Sequence, residues 1–302
     1  MSLLSAHSRA PLVVVALFAA GCSAPVVDDV AAATGSTTQG IILVERVTTV
    51  EGAPQTHVSA KFMRLPAAAD PDLAERVVGS RLDLPAAGEC MAVAPLASED
   101  TSSALAALGT VELLDVGDLT MKTGDSVTPL AARAFPDAFG LVSGVFYTSR
   151  DAAADLPAPA KYVLEGSGSA AVERFTIEAD APAAPSDVFV GGAALGEEVV
   201  VESEGGALVR WRSDGSGAAQ AGDLVYVDIT ATSGAALRCA WNDEGRGEVP
   251  SSMLRSGALG SLPTAATVAV HRVRLGAFVG PGIDLGEVRF DLSVVGRATI
   301  AE

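Results

Sequence analysis

Three cysteines and three histidines are the residues of this 302-residue chain best able to do chemistry, and the histidines are badly placed to share any. Neither His57 nor His271 has a His, Cys or carboxylate neighbour at metal-ligand spacing such as His-Glu-x-x-His, so each is expected on a strand face as a structural or solvated residue. No Gly-x-Ser-x-Gly elbow is present, and Gly166-Ser167-Gly168-Ser169 and Gly215-Ser216-Gly217 read as turns. A triad assembled from distant segments leaves no local trace and stays open. The acidic turns at Asp214-Gly215-Ser216-Gly217 and Asn242-Asp243-Glu244-Gly245 lack the oxygen spacing of a calcium loop. Gly280-Pro281-Gly282-Ile283-Asp284-Leu285-Gly286 copies part of a dinucleotide fingerprint but precedes a strand instead of opening a helix. The sequence therefore assigns no catalytic, metal or cofactor residue.

The cysteines say more. Arg9 and the terminal amine precede an apolar run from Pro11 to Ala20, which is the order of a secretory signal and too short to span a bilayer, a task needing about 20 apolar residues. The run ends Leu17-Phe18-Ala19-Ala20-Gly21-Cys22, and this ending resembles the lipobox of bacterial lipoproteins, with Ala19 where that family prefers Leu or Val. The resemblance implies a diacylglyceryl group on the Cys22 thiol, cleavage just before it, and, with Ser23 next in the chain, the outer membrane. An ordinary signal peptide cut nearby is the plainer alternative. With Cys22 lipidated, Cys90 and Cys239 are the only intramolecular pair, in an oxidising compartment. The expectation is a bridge between the two halves of the chain, against two separately buried thiols.

Charge narrows the partners. Removal of Arg9 with the signal leaves 19 basic against 37 acidic residues, a formal charge of −18. Nucleic-acid binding needs clustered Lys and Arg against phosphates, and no basic cluster offsets this field. Lys61, Lys122 and Lys161 are the only lysines and Asn242 the only asparagine, so the chain has no Asn-x-Ser/Thr sequon.

Period two dominates the chain from residue 39 onward. Val58/Ala60/Phe62, Val209/Trp211, Val225/Val227/Ile229, Leu237/Cys239/Trp241 and Val288/Phe290/Leu292/Val294 alternate with polar residues and predict half-buried strands. Trp211 and Trp241 are both read as core packing before ligand platforms, with Trp241, beside the turn at Asn242, the closer of the two to solvent. Helix signals are few: a capped segment over residues 70–79, a second over 98–109 and a short turn over 251–259. Many strands and few helices predict an all-β protein of two tandem antiparallel β-sandwich domains, immunoglobulin-like in architecture. The expected order is signal peptide 1–21, lipidated cysteine and flexible tether 22–38, N-terminal β domain 39–178, Pro/Ala linker 179–186 and C-terminal sandwich 187–302. Val209, Trp211, Val225, Val227, Ile229, Leu237, Trp241, Phe290 and Leu292 are expected to face inward.

Gly88-Glu89-Cys90, Leu114-Asp115-Val116-Gly117-Asp118-Leu119-Thr120, the Ala/Pro linker, Arg238-Cys239-Ala240-Trp241-Asn242-Asp243-Glu244-Gly245, Val249-Pro250 and Leu262-Pro263 together resemble uncharacterised predicted lipoproteins of the myxobacterial type. That resemblance implies extracytoplasmic β domains and supplies no activity and no functional residue. The functional expectation is a lipid-anchored protein of the cell envelope acting as a non-catalytic binding or assembly module for an envelope protein or glycan. The alternative is a lipid-anchored hydrolase whose site is built from dispersed residues. A compact cluster of His57 or His271 with Ser and Asp in a deep pocket would favour the hydrolase, and a shallow apolar surface would favour the binding module.

Overall fold

Alternation along the chain becomes strand after strand in the computed structural model, which describes residues 35–50, 52–66, 69–93, 110–136, 140–149, 156–213 and 223–302. The expected signal peptide, Cys22, the segment 98–109 and the turn at Asp214 lie outside those residues. The fold is all-β. Its spine is a long antiparallel hairpin of β17 (Thr264–Gly280) and β18 (Ile283–Ala301).

On one side of this hairpin the sheet continues through β14 (Leu224–Ala231) and β15 (Ala236–Asn242) to β3 (Cys90–Val93). On the other side β1 (Ser36–Thr49) pairs with β18, then β2 (Gln55–Pro66), β4 (Val111–Leu113), β7 (Val142–Thr148), β6 (Ser126–Ala134), β5 (Leu119–Thr123), β8 (Ala160–Gly166) and β9 (Phe175–Ala181). Beyond the point where β1 ends, β18 takes β12 (Val199–Glu202) as its neighbour. A second sheet holds β11 (Ala193–Ala194), β10 (Phe189–Val190), β13 (Ala207–Arg210) and β16 (Arg246–Val249).

The sheets are mixed, which corrects the expectation of purely antiparallel strands. β1 and β12 both run parallel to β18, and β4 runs parallel to β7. A parallel neighbour needs a long crossover, and β1 meets β18 from the opposite end of the sequence, so the pairing has no local signature. Residues 35–302 form one compact unit, and β17 and β18 contribute side chains to both of its large cores. The first core lies between the two sheets, around Val190, Val209, Trp211, Val227, Ile229 and Leu237. The second is enclosed where the larger sheet curls, around Phe62, Tyr147, Leu164, Phe175 and Phe290. All nine residues expected to face inward are buried, Trp241 included. Phe290 packs in the second core, its ring centroid 5.2 Å from that of Tyr162.

Three boundaries move. Strand β1 starts at Ser36, inside the expected tether. β9 runs to Ala181 and so takes the first residues of the expected linker. Helix α1 (Pro71–Val77) forms as expected: the Asp70 carboxylate accepts the Asp72 N–H (3.0 Å), Pro71 occupies the first turn, and Gly79 at φ +67° ends it. It buries Ala74 and Val78 against Ile41, Met63 and Leu65. Of the expected turn over residues 251–259, α2 (Ser251–Leu254) is helical.

Candidate functional site

From the end of α1 the chain crosses the outer face of the larger sheet as a strap, residues 78–89. Leu82 and Leu84 pack on Tyr226, Ala240 and Val273. Gly88 N–H donates to Ala240 O (2.7 Å) and Ala240 N–H to Glu89 O (3.1 Å), which leads the chain into β3. There Cys90 stands in register with Cys239 of β15, and the two are joined by a disulfide. The bridge fastens a strand from the first half of the chain to one from the second.

Beside the strap lies a cluster of ionisable groups. Successive strands set Arg238, Tyr226, His271 and Asp291 on the same side of the sheet, because each faces outward in its own period-two pattern. The Tyr226 and His271 rings stack, centroids 4.1 Å apart and 12° from parallel. Tyr226 Oη donates to Asp291 Oδ2 (2.6 Å), and His271 Nδ1 lies 2.7 Å from Asp291 Oδ1. Arg238 grips Asp228 through Nε and Nη2 (2.7 Å each), donates to Asp83 O in the strap (2.8 Å), and places its guanidinium 4.9 Å from the Tyr226 centroid. Burial works to raise the Asp291 carboxyl, but His271, the Tyr226 hydroxyl and Arg238 outweigh it and hold it below the ordinary carboxylate range. Burial and the Asp291 charge both push the Tyr226 phenol upward, so it stays a donor.

A carboxylate that orients Nδ1 of a histidine is one half of a general-base arrangement. Ser293 stands in register with His271, which brings Ser, His and Asp onto one patch. The patch has no room for a substrate. Ser293 is 2% exposed and its Oγ is directed at Arg46 O (3.4 Å). Among the described residues, clefts of about 480, 430, 310 and 130 Å³ open on the surface, and Ser293, His271, Asp291 and His57 line none of these. His57 sits further along the same face, Nε2 2.8 Å from Thr148 Oγ1 and Nδ1 3.5 Å from Glu45. Both histidines are thus on strand faces, and among the described residues the serine, histidine and aspartate come together outside these clefts.

The two largest of these clefts open elsewhere, on either side of Arg297. They form where β18 changes parallel neighbour from β1 to β12. Gly296 marks the spot: a Cβ there would lie 2.5 Å from Leu195 O, so only glycine lets the 195–197 turn seat on the strand. Glu197, Thr267 and Arg297 line both clefts, with Thr49, Val50 and Val295 on one side and Val199, Ala265 and Ala266 on the other. Val47 and Val50 stand exposed at the neighbouring end of β1. The surface is shallow and rich in small and apolar side chains. No histidine or cysteine lines it.

In the turn at Asn242, Asn242 and Glu244 are exposed but Asp243 is not. Asp243 folds into the first core, where its Oδ1 accepts Trp211 Nε1–H (2.6 Å) and Arg272 Nη2–H (3.2 Å), and Arg272 Nε lies 2.9 Å from Oδ2. Arg272 also donates to Ala183 O (2.7 Å) and Arg212 O (2.6 Å). Arg274 pairs with Asp223 (2.8 and 2.6 Å) and reaches Asp180 O (3.2 Å). The expected linker is therefore held to β17 by two arginines. Arg272, Asp243 and Asp223 carry no signal in the sequence, since a charged residue inside an apolar alternation gives no sign that its partner is buried too. Among the described residues no group of three or more His, Cys, Asp or Glu could hold a metal ion, and no helix is long and apolar enough to cross a membrane.

No family model matches the chain, and no curated protein is similar to it.

Proposed function

We propose that this chain is a bacterial envelope lipoprotein, anchored to the outer membrane through acyl chains on Cys22, whose folded part is a non-catalytic binding or assembly module. The observation that carries the binding reading is the shallow surface around Arg297, which joins the two largest clefts described and has no histidine or cysteine. The Cys90–Cys239 bridge supports export, because disulfides persist in oxidising compartments. The finer fold reading is a pair of immunoglobulin-like sandwiches, here sharing their central hairpin. It draws support from the two sheets that meet across Trp211 and Trp241, ring centroids 6.1 Å apart. The partner fitting this surface is an envelope protein or glycan. Kinship with the myxobacterial-type lipoproteins belongs to the same proposal.

The test combines a chemical and a binding measurement on protein isolated from its envelope. Mass spectrometry of the mature N-terminus should find an acylated Cys22. A photo-crosslinker at Thr267 should give a discrete adduct that Arg297→Glu abolishes. The hydrolase reading has its own support in the His271–Asp291 pair. Labelling of Ser293 by a fluorophosphonate probe, with no adduct at Thr267, would replace the binding module by that hydrolase.

A further inference from the structure

The far end of the β17–β18 hairpin carries the most exposed large apolar side chain described. Val279 is 77% exposed, and Leu285 and Leu275 nearby are 52% and 48% exposed. They form one patch. Residues 275, 277 and 279 share the outer face of β17, and on β18 Leu285 continues the outward positions 289 and 287, beside the irregularity where the pairing passes from Phe278–Gly286 to Gly280–Ile283. Pro281 caps the turn, and Phe278 is drawn the other way, its ring over Gly286 and Gly40. The elements that cover the rest of this face stop short of the patch. Helix α1 lies over Ile41 and Met63, the strap lies over Tyr226 and Val273, and Glu287 and Arg289 pair with each other at the patch border (2.5 Å).

Strand β1 runs parallel to β18, so its first residues lie beside the hairpin turn. Gln39 is in register with Leu285, and Thr38 N–H donates to Asp284 Oδ2 (2.8 Å). Whatever anchors the N-terminus therefore pulls on the end of the molecule where the apolar patch protrudes. Residues 23–34 add 12 residues between Cys22 and the fold, a reach of at most about 40 Å when extended. The Arg297 clefts lie at the opposite end of β18. Twelve residues separate Leu285 from Arg297, or about 40 Å along a strand.

We propose that the β17–β18 tip, through Val279, Pro281, Leu285 and Leu275, is a second contact with the lipid bilayer, which stands the protein on the membrane with the Arg297 surface turned away from it. This rests on the reading of Cys22 as the lipid anchor. The tip and its surroundings carry Asp284, Glu287 and Glu173 against Arg289 and Arg174, and no lysine lies in residues 264–302. The contact is apolar and not a basic patch on anionic lipid, so it persists at high salt.

The test separates the tip from the anchor. A chain starting at residue 22, with Cys22→Ser and an N-terminal hexahistidine tag, is captured on phosphatidylcholine vesicles through a nickel-chelating lipid. This reproduces the tether whether or not the natural cysteine is acylated. With Cys90 and Cys239 bridged, an environment-sensitive fluorophore can be placed on Val279→Cys alone. The control is Val127→Cys: Val127 is 59% exposed, in β6 next to the β5–β6 turn. That turn is at the other end of the curled sheet, since Thr123 pairs with Tyr162 whereas Gly166 pairs with Phe175, which lies against Gly280. On vesicles the probe at 279 should brighten by roughly twofold or more and shift to the blue, in low and high salt alike, while the probe at 127 stays unchanged. Leu285→Asp should reverse the change at 279 without releasing the captured chain. Equal, water-like emission at both positions would overturn the proposal. So would brightening at 279 that tracks protein concentration without vesicles, which would assign the patch to a second copy of the chain. An unacylated Cys22 in the natural protein would instead overturn only the anchor.

Discussion

The Arg272–Asp243 pair inside the first core and the Arg238–Asp228 pair on the outer face use one chemistry under two dielectric regimes. The inner pair is 1% exposed on both sides, and its guanidinium also serves two backbone carbonyls, Ala183 and Arg212, from separate passes of the chain. The outer pair is 16% and 21% exposed and serves one carbonyl, Asp83, in the strap. Water screens the outer pair and can replace it, but nothing can replace a partner lost inside. The inner pair therefore specifies where chain segments cross, and the outer pair fastens a covering that could lift away.

The largest expected effect comes from breaking the inner pair. Arg272→Ala removes the cation that faces buried Asp243 and a donor to two carbonyls, and it should cost about 3–5 kcal/mol in chemical denaturation. A sharper probe is Arg272→Met together with Asp243→Leu. If the pair sets specificity more than stability, the double variant should recover most of that loss. A double variant as unstable as Arg272→Ala would show that the joint is held by the pair's own attraction or by its hydrogen bonds to Trp211, Ala183 O and Arg212 O, and not by the avoidance of an orphaned charge.

The outer pair should matter less. Arg238→Ala removes a bidentate contact that is partly in water and should cost about 1–2 kcal/mol. Its signature is local. Amide exchange at Gly88 and Ala240, which join the strap to β15, should accelerate while amides of β17 keep their protection. Uniform acceleration across the sheet would mean that the strap is no separate covering and that the two pairs act as one network.

This contrast also explains what the sequence could reveal. Val225, Val227 and Ile229 announce their strand because one face is dry and the other wet, and that difference is written in adjacent residues. Asp70, Pro71 and Gly79 announce α1 for the same local reason. Arg272 occupies an inward position of β17, yet in sequence it looks like any polar residue beside a valine. Its partner Asp243 sits in a turn that reads as solvent-facing. His271 looks solitary because Asp291 and Tyr226 reach it only across strands 20 and 45 residues away in sequence. The parallel meeting of β1 with β18 is equally invisible, since its partners come from opposite ends of the chain. Local physics shows which face of a strand is buried; which strand lies next to it is settled by the whole chain.

The smallest effect lies in the outer network and appears only as a dependence on pH. Asp291 is held below its ordinary range, so its folded value is lower than the unfolded value of about 3.9. A carboxylate depressed in this way adds stability that is fully present above the unfolded value and is lost as pH falls through the folded one. Asp291→Asn removes the charge and keeps one acceptor oxygen, for Tyr226 Oη, with the amide nitrogen turned to His271 Nδ1. At pH 7 the variant should be less stable by about 1 kcal/mol. The gap should narrow as the pH drops below about 4, because there the native carboxyl is itself becoming neutral. Denaturation midpoints of the two proteins from about pH 7 down to about pH 3 are the measurement. Midpoints that stay equally separated across that range would mean that the charge of Asp291 contributes nothing and that the cluster is held by packing of Tyr226 on His271 alone.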